Sequence, residues 1–154
     1  MTVYFIDSSA LVKRYISEIG SVWVLELFDP AFGNEVFIAA VSGVEIIAAI
    51  ARRSRGGSIS ATDATKVFNQ LKSDLQTEYQ IIEITESIIN DGMTLAQKHG
   101  LRGYDAIQLA AGCALNMLCI TYNAAPIIFV SADKELNIAA SIEGLVVENP
   151  NNHP

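Results

Sequence analysis

At 154 residues the chain is the size of one domain, and its 51% apolar content can build a core without disulfides. Cys113 and Cys119 stand in apolar surroundings with no CxxC spacing and no nearby His, which argues against a redox or soft-metal centre. With 17 acidic and 10 basic residues the net charge is −7, which argues against nucleic-acid binding through bulk positive potential but leaves local contacts open.

In chain order, Val3 to Ile6 reads as a short buried parallel strand that delivers Asp7 to the edge of a sheet, followed by Ser8 and Ser9 as candidate helix caps. The next helix is expected to bury Leu11, Val12, Tyr15, Ile16 and Ile19 and to turn Lys13, Arg14, Ser17 and Glu18 to water. A second helix opens at Gly20-Ser21 and stops at Pro30; Val22, Trp23, Val24, Leu25, Leu27 and Phe28 cover more of it than one core-facing stripe needs. That excess implies a covering surface, either a protein partner or a loop lying over Trp23. Glu35 to Ala39 is a second strand and Val41 to Arg55 a third helix, in which Glu45 is the sole charge between Ile38 and Ala51. A carboxylate in such a stretch needs a partner, a proton or a cation. Arg52, Arg53 and Arg55 close that helix, as its dipole favours, and form the densest basic patch of the chain.

Ser60 begins a packing helix with Ala64, Val67, Phe68, Leu71 and Leu75 at helical spacing. Tyr79 to Ile84 is a third strand, and a helix from Glu86 to Lys98 ends at Gly100. His99 and His153 lack the companions of a metal or triad site. Asp105 falls in the first turn of a helix whose narrow inward stripe is Ala106, Leu109, Ala110, Cys113, Ala114 and Met117. Ala106 to Ala132 carries no charge and is long enough to cross a bilayer. Gln108, Asn116, Asn123 and Pro126 interrupt it, so a buried helix and a buried strand are expected and a membrane span is not. Ile127 to Val130 is that strand; Ser131-Ala132-Asp133 repeats the opening order of strand, hydroxyl, acid and helix start. A last helix to about Ser141 and a strand from Leu145 to Val147 complete a single domain over residues 1–150, with 151–154 as a short tail. No leader segment opens the sequence, so a cytoplasmic location is expected.

Alternating strands and helices imply an α/β three-layer sandwich: a central, mostly parallel sheet of about five strands flanked by helices. Right-handed crossovers place every strand-to-helix turn on one edge, so Asp7 and Asp133 share it if their strands are neighbours, and Glu45 and Asp105 can lean over the same place. Four carboxylates gathered there repel one another, and Mg²⁺ or Mn²⁺ is the natural compensation for an all-oxygen set.

The chain resembles the PIN-domain ribonucleases, and most closely the VapC-type toxins of type II toxin–antitoxin pairs. The resemblance rests on Tyr4 to Lys13, on Ser42 to Glu45 with Ala48, Ala49 and Arg52, on Leu101 to Ala106, and on Val130 to Asp133. It implies a metal-dependent endoribonuclease that hydrolyses RNA phosphodiesters, with Asp7, Glu45, Asp105 and Asp133 as catalytic and metal-holding acids. Asp7 and Asp105 are the expected direct ligands, and Ser8 and Ser131 orient carboxylates from behind. Lys13, Arg14, Arg52, Arg53 and Arg102 are the candidate RNA contacts. A protein antitoxin and a homodimer are the implied partners. Two alternatives stand beside the toxin: an RNA-processing nuclease without an antitoxin, and a catalytically idle binding module. The segment Leu118 to Pro126 is longer than the family's usual turn, which bears on loop geometry near the site.

Overall fold

The computed structural model describes residues 1–154. Five strands, β1 (Val3–Ile6), β2 (Glu35–Ala39), β3 (Gln80–Ile82), β4 (Ile128–Val130) and β5 (Val146–Glu148), form one sheet in the order β3-β2-β1-β4-β5. All four neighbouring pairs are parallel. The connecting helices are α1 (Ser8–Leu11), α2 (Ser21–Glu26), α3 (Ser42–Arg55), α4 (Ala61–Thr77), α5 (Glu86–His99), α6 (Gly103–Thr121) and α7 (Lys134–Ile142). Ser60 and Thr85 start α4 and α5 by accepting from the amides of Asp63 and Ile88, and Gly100 closes α5 in the left-handed conformation, as the sequence predicts.

Because side chains alternate along a strand, β1 splits the core in two. Phe5 joins Leu109, Leu136 and Phe129 on the face covered by α5, α6 and α7, and its ring stacks on Phe129 at 5.3 Å. Ile6 joins Ile46, Ile50 and Leu71 on the face covered by α1, α3 and α4. The strand order runs outward from β1 to β3, then returns to the other side of β1 with β4. A parallel sheet of this kind opens a crevice where the order reverses, at the C-terminal ends of β1 and β4. Asp7 leaves β1 there, its amide donating to Val130 O at 3.0 Å.

Three local features depart from the sequence expectation. The first helix is short: α1 stops at Leu11, a 3₁₀ turn takes Val12–Arg14, and Ile19 is exposed. Lys13, expected in water, is buried, because its Nζ reaches Glu18 Oε2 at 3.1 Å. Arg14 lies 4.0 Å from the Phe28 ring centroid and donates to Tyr79 Oη at 2.8 Å; Tyr15 donates to the buried Asp74 at 2.8 Å. These polar anchors turn the chain before a longer helix can form.

The buried side of α6 is also rotated from the predicted stripe. Ala111, Gly112 and Leu115 are buried, whereas Ala114 and Met117 face out. A Cβ on Gly112 would stand 2.7 Å from Phe129 Cδ2, so only glycine lets α6 sit this close to β4. This is the one helix long and apolar enough to cross a membrane. In the fold its inward side lies in the core around Phe5 and Phe129. It runs on to Thr121, which shortens the segment read from sequence as a long turn.

Residues Pro150–Asn152 form a 3₁₀ turn seated against α2. His153 stacks on Trp23 with ring centroids 4.4 Å apart and planes 4° from parallel. The chain itself thus covers Trp23, while Val22 and Leu25 on the same helix remain exposed.

Candidate active site

Asp7 is the N-cap of α1, a place the sequence reading gave to Ser8 or Ser9. Its carboxylate is 2% exposed and held on both oxygens. Oδ1 accepts from Ser9 Oγ at 2.7 Å and from the Ala10 amide at 3.0 Å, and Oδ2 accepts from Ser131 Oγ at 2.7 Å. Burial pushes the Asp7 pKa up to about 7 against those bonds, and the charge of Asp105 adds to the rise. Ser9 Oγ also accepts from the Ala132 amide at 3.0 Å, and Ser131 Oγ from the Asp133 amide at 3.1 Å. The turns after β1 and β4 are therefore laced together around one carboxylate.

Asp133 caps α7 through the Leu136 amide at 3.0 Å and is partly buried. Glu45 projects from the first turn of α3: Oε2 accepts from Ser8 Oγ at 2.9 Å, and Oε1 from Gln108 Nε2 at 2.8 Å. Asp105 lies in the first turn of α6, with its pKa raised by burial, then by Asp133, then by Glu45 and Glu135, while Arg102 opposes the rise. Asp105 thus feels the charges of Asp133 and Glu45, and Asp7 feels that of Asp105; Asp7 and Asp133 stand at the turns after β1 and β4, and Glu45 is tied to Ser8, the residue after Asp7.

A cleft of about 470 Å³ opens over this edge, with Ser8, Ser9, Glu45, Tyr104 and Asp105 on its acidic side and Arg52, Arg53 and Arg102 around it. Arg52 and Arg102 are exposed, and Arg53 is tied to Glu18 Oε1 at 2.6 Å. Although burial works to raise Glu18, the bonds from Arg53 and Lys13 outweigh it and hold its pKa low. Lys13 and Arg14, both read from sequence as RNA contacts, are engaged with Glu18 and with the Tyr79 and Phe28 cluster, and neither lines the cleft.

An all-oxygen donor set under mutual repulsion suits a hard divalent cation in both ligand type and charge. No three His, Cys, Asp or Glu side chains stand within common coordination distance. Of the four acids read from sequence, Asp7 and Asp105 are the two whose protons are held by burial and neighbouring charge, and Glu45 is fixed on both oxygens, from α1 and α6. Sequence reasoning missed the part played by Ser9, which donates to Asp7 where Ser8 donates to Glu45, and Gln108, which also donates to Glu45. Gln108 had a signal: it lies three residues after Asp105, on the same helical face, within an uncharged stretch.

A family model described as the PIN domain matches residues 4–137. The ribonuclease VapC45 of Mycobacterium tuberculosis is 26% identical over 115 residues, which is 75% of this chain and 78% of that protein. Among solved structures, PAE2754 from Pyrobaculum aerophilum aligns with a TM-score of 0.62 at 16% identity, over 95% of this chain and 83% of that one. A toxin–antitoxin complex from Klebsiella pneumoniae gives 0.60 at 17% identity, over 96% and 97% of the two chains. The two structural likenesses are likenesses of fold.

Proposed function

This chain belongs to the PIN-domain family, and we propose that it is an endoribonuclease, the toxin of a type II toxin–antitoxin pair, working with Mg²⁺ or Mn²⁺ in the acid cluster. What supports this reading is Asp7, held by Ser9 and Ser131 at the crevice between β1 and β4, together with the charge felt between Asp7 and Asp105 and between Asp105, Glu45 and Asp133. A bound divalent cation supplies charge neutralisation and an acidified water at the phosphodiester. Asp7 and Asp105 are its direct holders in this reading, and Glu45 and Asp133 complete the oxygen set. Ser9 and Ser131 fix the plane of the Asp7 carboxylate, and Ser8 fixes that of Glu45. The exposed Arg52 and Arg102 meet RNA phosphates at the cleft, so binding rests on a local cationic rim within an acidic protein.

The likeness to the VapC ribonuclease supports the RNA substrate, and the fold shared with a toxin–antitoxin complex supports an antitoxin partner. The exposed Val22 and Leu25 of α2 give such a partner, or a second copy in a homodimer, an apolar surface to cover. A cytoplasmic location belongs to the same reading.

The test is an end-labelled cleavage assay on total RNA with the parent and Asp7→Ala, with Mg²⁺ or Mn²⁺ and with EDTA. Cleavage by the parent, lost in EDTA and reduced at least about 100-fold in Asp7→Ala, is expected. Cleavage that persists undiminished in the variant refutes the assignment.

A further inference from the structure

Gln108 lies inside the protein, 1% exposed, at the point where α6 passes α3. Its Nε2 donates twice, to Ser42 Oγ at 2.9 Å and to Glu45 Oε1 at 2.8 Å. Ser42 and Glu45 are one turn apart on α3, as Asp105 and Gln108 are on α6. The two helices belong to cores on opposite faces of the sheet, so this amide joins the layers at the edge where the acids meet.

The same side chain breaks a packing rule, because Gln108 Oε1 is buried with no hydrogen-bond partner. A buried carbonyl oxygen without a partner is destabilising, and an apolar side chain of the same length would avoid it. Such local violations are expected where a residue serves a site. Ser8 already holds Glu45 Oε2, so the Gln108 bond is what completes the fixing of that carboxylate.

We propose that Gln108 is a positioning residue: by bonding Glu45 and Ser42 together it sets where the Glu45 carboxylate stands relative to Asp105, and so tunes the affinity of the acid cluster for a divalent cation. The inference rests on the metal-dependent reading above. Gln108 itself touches neither the ion nor RNA.

The experiment measures Mn²⁺ binding by the electron paramagnetic resonance of free Mn²⁺, together with melting in EDTA, for the full chain. Gln108→Met keeps the side-chain length and removes both the donor and the orphaned oxygen. It is expected to weaken Mn²⁺ binding about 10–100-fold, the usual effect of losing a ligand's supporting hydrogen bond, while the variant still unfolds cooperatively in EDTA with a lowered melting temperature, the loss of the orphaned oxygen offsetting part of the two bonds removed from Ser42 and Glu45. In a Glu45→Gln background, Gln108→Met is expected to change binding less than about twofold, because the group it positions is gone. Ser42→Ala, which leaves Glu45 intact but releases Gln108, should weaken binding in the same direction, and it decides the matter if Gln108→Met does not fold. Parent-like Mn²⁺ affinity in the folded Gln108 variant, or an equal loss in the Glu45→Gln background, overturns this inference alone. A parent that binds no Mn²⁺ overturns the metal reading and this inference with it.

Discussion

Exchanging Asp7 for asparagine in metal-stripped protein isolates the cost of keeping a carboxyl group in the crevice. The ordinary Asp value is 3.8, and burial raises it to about 7 in the fold. Between those two pH values the unfolded chain has released the proton that the folded chain retains. The unfolded state therefore binds fewer protons, and stability falls as pH rises. The span corresponds to a loss of about 4 kcal/mol, complete above pH 7 and absent below pH 4. Asparagine at position 7 can accept from Ser9 and Ala10 through its oxygen and donate to Ser131, so about 1 kcal/mol is a fair allowance for imperfect replacement. In EDTA at pH 8, Asp7→Asn should therefore be about 3 kcal/mol more stable than the parent, roughly 6–12 °C in Tm for a chain this long. At pH 4 the two should melt within about 1 kcal/mol of each other. The assay is thermal or urea unfolding of both proteins across pH 4–8. A variant that melts lower than the parent at pH 8, or whose stability follows the same pH slope, would show that Asp7 is not held against its charge and would refute the reasoning.

Gly112→Ala should cost about 1–3 kcal/mol in urea unfolding, because the new methyl meets the stacked Phe129 ring. Replacing Arg52 and Arg102 together by alanine should weaken RNA binding and flatten its log–log salt dependence by about 0.7 per lost phosphate contact, read by filter binding at several salt concentrations. His153→Ala removes the ring stacked on Trp23, the only tryptophan, so its emission should shift to the red while stability changes by no more than about 1 kcal/mol.

The parts of the site legible in the sequence were those announced by a change of chemistry along the chain. Val3–Ile6 and Ile128–Val130 are apolar runs that break into hydroxyl and acid, so Asp7, Ser131 and Asp133 could be placed at strand ends before any pairing was known. Glu45 stood out as a lone charge in an apolar helix. Features that depend on a partner distant in sequence were not legible. Lys13 looked solvent-facing because helical periodicity alone does not disclose its partner Glu18, which Arg53 holds from the other side. Ser9 and Ser8 could not be told apart until the β4 turn was beside them, with Ala132 donating to one and Glu45 accepting from the other. Gln108 read as an interruption in an apolar stretch because its role is set by α3, over sixty residues earlier.

The adjacency of β1 and β4 also bears on how such a molecule is made. Asp7 and Ser131 stand 124 residues apart in the chain, so Ser131, Asp133 and the strand and turn that carry them are made long after Asp7. A polypeptide still lacking β4 can cap its first helix with Asp7 through Ser9 and Ala10, but the second oxygen has no partner until Ser131 has been made and β4 has paired with β1. This carboxylate is therefore fully held only by a late, long-range step of folding.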